Sequence, residues 1–128
     1  MSILTGKHGS VLANGQPLAE ITLWTFKTTR RHVAYSSSAT GGFRRRLPGV
    51  REGQGRFNFV VAAQQPASAG LHDGDEVTLS LCIDPQRRYV VPAVIDTMTI
   101  ETDISGGGPM TGWAEFSTNG EWTEPEEV

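Results

Sequence analysis

The chain has a single cysteine, Cys82, in 128 residues. One cysteine excludes an internal disulfide framework and a four-cysteine zinc site. It stands in VTLSLCID, where Val77, Leu79, Leu81 and Ile83 share one strand face and Thr78, Ser80 and Cys82 the other. No Lys or His lies close by to activate a thiol, so Cys82 reads as a small strand residue. Long apolar runs are also missing. Nothing approaches the roughly eighteen residues that span a bilayer, and the N-terminus lacks a charged segment followed by an apolar one. The expectation is a protein that makes no membrane contact and stays in the cytosol until lysis.

Chemistry is sparse too. His8, His32 and His72 have no second ligand at metal spacing, and His72, Asp73, Asp75 and Glu76 lack the twelve-residue calcium-loop pattern, so the cluster reads as a solvated turn. Ser36, Ser37 and Ser38 are not set in a nucleophile elbow, and Gly106, Gly107 and Gly108 are followed by no P-loop lysine. No catalytic constellation, metal site or cofactor motif emerges. The sequence predicts a protein that is not an enzyme.

What is present is a β-rich pattern. Fifteen glycines and seven prolines imply many turns. Asn14-Gly15 between two short strand-like segments marks a tight hairpin. EITLWTFKTTRR, residues 20–31, is rich in β-branched and aromatic residues and carries apolar groups on both faces. In RFNFVVAA, residues 56–63, Phe57, Phe59 and Val61 face one way and Arg56 and Asn58 the other. Strands follow over residues 75–83, 89–104 and 110–118, with a short helix possible at 67–71. Pro92 cannot donate a ladder hydrogen bond and predicts a break, a bulge or a free edge. Asp96 falls on an otherwise mostly apolar face. Six or seven strands with short turns predict an all-β antiparallel sandwich or small barrel. It would be one domain over residues 1–120, followed by an acidic tail, 121–128, that is mobile or docks only in an assembly.

Residues 36–55, SSSATGGFRRRLPGVREGQG, interrupt this pattern with five glycines, a proline and no apolar period. They read as a long loop, and a loop of that length is functional or disordered. Arg30, Arg31, Arg44, Arg45, Arg46, Arg51 and Arg56 face one acid, Glu52, across this region, whereas after Leu71 twelve acids oppose only Arg87 and Arg88. Such a chain can be complementary to another copy of itself.

The glycine-rich start GKHGSVLANGQPLAEI, the strand ITLWTF, the long loop after it, the GRFNF strand and the closing FSTNGEWT together resemble the major tail tube proteins of long-tailed bacteriophages. That family is related to the tube proteins of contractile injection and type VI secretion machines. The chain is short for the family, and its usual helix would have to fit within residues 66–71. The resemblance implies a structural virion subunit, assembled in the host cytoplasm and located in the tail. Its sheet edges would join into hexameric rings that stack head to tail alongside other tail proteins. Phe43, Arg44, Arg45, Arg46 and Arg51 on the loop, with Glu124, Glu126 and Glu127 on the tail, would form the subunit interface. Thr97, Thr99, Glu101 and Asp103 would line a channel through which DNA passes without being specifically bound. The rival readings are a small β-sandwich module that uses the basic loop to bind nucleic acid or an acidic ligand, and a monomeric accessory domain whose loop is disordered.

Overall fold

The computed structural model describes residues 4–18, 20–61 and 71–125. The described residues form an all-β domain whose only helical pieces are two 3-10 turns. Seven strands, β1 (Ser10–Ala13), β2 (Gln16–Pro17), β3 (Ile21–Tyr35), β4 (Arg45–Val60), β5 (Glu76–Cys82), β6 (Arg88–Glu101) and β7 (Thr111–Thr118), lie in one antiparallel sheet. Their order across it is β2-β1-β5-β6-β7-β4-β3. The sheet is not closed into a barrel. It rolls so that its two halves share one core, formed by Val11, Phe57, Phe59, Leu79, Leu81, Val91, Ile95 and Phe116, all essentially inaccessible. The rolled ends are pinned by Trp24, whose indole N–H donates to the Cys82 carbonyl at 3.1 Å. Cys82 itself is buried.

Local chemistry explains the strand boundaries. Asn14 and Gly15 adopt φ of 50° and 81° and bring Ala13 opposite Gln16, the tight turn that the pair predicts. The mixed faces of the tryptophan strand come from a bulge: Ile21 pairs with Phe59, Leu23 with Asn58 and Trp24 with Phe57, so Leu23 turns outward while Trp24 and Phe26 turn toward the core. A second bulge, between Ile95 and Thr97, resolves the misplaced Asp96. Before it the core residues are Val91, Ala93 and Ile95; after it Met98 packs on the core, and Asp96 is released outward to accept from the Ser117 hydroxyl. Pro92 causes no break. It pairs with Thr78, and its carbonyl accepts from Asn119 N–H at 2.8 Å, just beyond the last β6–β7 pair, Ala93 and Thr118. A strand residue's N and C=O point to the same side, so the missing donor falls where β7 has already ended.

The long loop expected over residues 36–55 is a loop only from 36 to 44; from Arg45 onward the chain is strand β4. Gly53 and Gly55 gave that segment its irregular look, yet each sits in the ladder beneath an aromatic ring. A Cβ on Gly53 would meet the Phe26 ring at 2.8 Å, and one on Gly55 would collide with the Phe116 ring and the Thr25 carbonyl. The short helix expected at 67–71 lies outside the described residues except for Leu71, which is buried in the core.

Candidate assembly surfaces

β4 pairs with β7 only from Gln54 onward, so residues 45–53 and their β3 partners leave the sheet as a two-stranded arm. At about 3.3 Å per residue the arm projects about 30 Å. Its tip is closed by a 3-10 turn, Ser38–Thr40, in which the Ser37 hydroxyl accepts from Ala39 N–H and the Thr40 hydroxyl accepts from Ser37 N–H at 3.0 Å. Directly opposed residues share a face. Val33 with Leu47 and Tyr35 with Arg45 therefore form one face near the tip, and Ala34 with Arg46 forms the other. The arginine triplet is thus split: Arg45 and Arg46 point to opposite sides, and Arg44 precedes the strand. Val33 and Leu47 are more than half exposed, Tyr35 is exposed, and Phe43 at the tip is 78% exposed. A lone hairpin with uncovered apolar groups is a surface shaped for contact.

The base of the arm is held by residues 121–124, which were expected to be mobile or to dock only in an assembly and instead pack within the single chain. Trp122 is almost fully buried, its ring at 5.5 Å from that of Phe26, and Thr123 makes a two-hydrogen-bond bridge with Val90. Arg51 lies over the Trp122 ring at 4.5 Å and donates to the Glu124 carboxylate. Two residues expected to reach between subunits therefore grip one another within a single chain. Glu126 and Glu127 lie outside the described residues. The Arg51 guanidinium, with help from the Trp122 indole N–H, holds the Glu124 carboxyl below its ordinary value of 4.5. A depressed carboxylate contributes stability that is present above its unfolded pKa and disappears as pH falls through the folded one. Acidification below the ordinary glutamate range is accordingly expected to loosen this strap before the core unfolds. In a fluorescence titration the wild type should show an acid step that is missing from both Trp122→Phe and Glu124→Gln; an identical step in all three would place the transition elsewhere.

The third surface is the outer face of β6, β7, β4 and β3. The register sets Thr97, Glu115, Arg56 and Thr25 in one row, and Thr99, Trp113, Asn58 and Leu23 in the next, with Glu101 and Thr111 beyond. Thr97, Thr99 and Glu101 thus share one polar face. Asp103 lies past the strand in the β6–β7 turn, where its carboxylate accepts from Gly106 N–H at 2.9 Å and from the Ser105 hydroxyl. These bonds, Gly106 first, lower its pKa. Arg56 and Trp113 went unnoticed as surface partners: the guanidinium stacks over the indole at 5.1 Å and donates to Asn58. The alternation around Phe57 and Phe59 already put Arg56 and Asn58 on this side, but only the β4–β7 register places Trp113 beside them. Elsewhere, the His72 to Glu76 cluster is a closed turn in which Asp75 accepts from His72 N–H.

The four strands of this face end in two free edges among the described residues. One is the outer side of β3, at the margin of the sheet. The other is β6 beyond Asp96, because β5 pairs with β6 only up to Val94 and the described residues just before β5 reach no further than Ile95.

Solved structures share this fold. A chain in the virion of a native gene transfer agent particle matches with a TM-score of 0.75 and 16% identity, covering 95% of this chain and 98% of that one. A chain in the sheath–tube complex of the extracellular contractile injection system PVC, in its extended state, matches with a TM-score of 0.73 and 7% identity over 95% and 92%. The SPP1 tail tube matches with 0.69 and 11% identity over 97% of this chain and 80% of that one. This is the tail-tube fold. No protein-family model matches the sequence, and no curated protein does either. The fold is shared although identity to these three chains is only 16%, 7% and 11%.

Proposed function

We propose that this chain is a structural, non-catalytic subunit of a tail tube, which closes into rings through its sheet edges and stacks those rings through its arm. The observation that carries this reading is the pair of edges left free among the described residues at opposite margins of one four-strand face, β3 on one side and the far half of β6 on the other. Joining two different edges is a heterologous contact, which generates a ring when the rotation closes. Such pairing also covers edges that would otherwise template aggregation. Ring closure would turn the polar face bearing Thr97, Thr99 and Glu115 into a continuous lining, with Glu101 at its rim, where β6 ends. Threonines and carboxylates there offer phosphates no strong anchor, and Arg56, the basic residue in these rows, is already engaged with Trp113 and Asn58, consistent with DNA or an effector passing through. The alternative, a basic loop that grips nucleic acid, is disfavoured because Arg45 and Arg46 lie on opposite faces of the arm.

Light scattering and negative-stain imaging at micromolar concentration are expected to reveal rings or tubes. A chain that stays monomeric at every concentration would overturn this function.

A further inference from the structure

We infer that the arm of one subunit docks on the β6–β7 turn of the next, with Val33, Tyr35, Arg45 and Leu47 meeting Glu101, Asp103 and Ile104. This rests on the stacking function proposed above and names the acceptor surface for it.

The register places donor and acceptor at opposite ends of the molecule. β4 begins at the arm tip with Arg45 and ends at Val60; Val60 lies opposite Thr111, and Thr111 opposite Glu101. Sixteen strand residues therefore separate the two ends, about 50 Å along the ladder. A contact between them cannot form within one chain and is head-to-tail between two.

The surfaces are complementary in both charge and polarity. Residues 31–50 contain Arg31, Arg44, Arg45 and Arg46 and no carboxylate, whereas no Lys or Arg follows Arg88. On the arm, exposed Val33, Leu47 and Tyr35 share a face with Arg45. On the turn, Ile104 is 91% exposed beside Glu101 and Asp103, and Gly106 N–H donates to the Asp103 carboxylate and lowers its pKa. An apolar centre rimmed by opposite charges is the usual make-up of a specific contact. Glu124 fits the acceptor role less well, because it is already held by Arg51.

The test is a charge exchange between exposed residues. Arg45→Glu and Glu101→Arg are each expected to raise the concentration needed for tube formation by about tenfold or more, leaving the circular dichroism spectrum and melting temperature unchanged. The double variant R45E/E101R, which reverses both partners, is expected to assemble close to wild type in sedimentation and negative-stain assays. Single variants that assemble normally, or a double variant no better than the singles, would overturn this acceptor while wild-type tubes still upheld the assembly function. Wild-type rings that never stack would also overturn it, and a wild-type chain that never assembles would remove both.

Discussion

A variant with Arg44, Arg45 and Arg46 all replaced by glutamate is expected to stay folded and fail to build tubes. All three side chains are exposed and far from the core, so the fold does not depend on them. Reversal changes the arm's charge by six and brings carboxylates against an acidic neighbour, and like charges in a contact cost several kcal/mol. Sedimentation velocity checks the result: soluble subunits or isolated rings at concentrations where the wild type forms long particles, with an unaltered melting curve. The split of the triplet sharpens the expectation. Arg46 stands on the face with Ala34, away from Val33, Tyr35 and Leu47, so Arg46→Glu alone should impair stacking less than Arg45→Glu. Normal polymerisation by the triple variant would remove the arm as the stacking element.

Replacing Gly55 by valine is expected to damage the fold itself. Its Cβ position is already occupied by the Phe116 ring and the Thr25 carbonyl, in the middle of the β3–β4–β7 ladder. Forcing atoms into a packed core costs about 1–3 kcal/mol, and the collision here is partly with backbone, which cannot rotate away, so about 3 kcal/mol is expected. In a domain whose whole stability is about 5–15 kcal/mol, that is a large fraction. The melting temperature should fall by about 10 °C, and chemical denaturation should give a lower midpoint with the same slope. Valine at Gly15, where no atom lies within 4 Å of the added Cβ, meets only the positive-φ penalty and provides a contrast in mechanism.

The sequence was most legible where one residue's chemistry decides its backbone. Asn14-Gly15 announced its turn, and Phe57 and Phe59 announced a buried face with Arg56 and Asn58 on the other side. The arm was misread because Gly53, Gly55, Gly49 and Pro48 look like loop residues when taken alone. In the fold, Gly53 and Gly55 make room for Phe26 and Phe116, and those rings come from β3 and β7. Asp96 looked like an error of pattern because the bulge that frees it depends on pairing with β7. The tail was expected to be mobile or to dock only in an assembly because its acids dominate, whereas Trp122 finds Phe26 and Arg51 only after the sheet has rolled.

By itself the sequence determined the all-β class, the strand periods, the uneven charge along the chain and the absence of a local catalytic motif, since these follow from near-neighbour preferences and from residue type. The tertiary structure alone decided that the basic stretch is a two-faced arm, that Arg51 and Glu124 meet within one chain, and that the exposed acids of the β6–β7 turn lie at the end opposite the arm. Each of these depends on strand register, which is set by contacts between residues dozens of positions apart and is invisible to any local pattern.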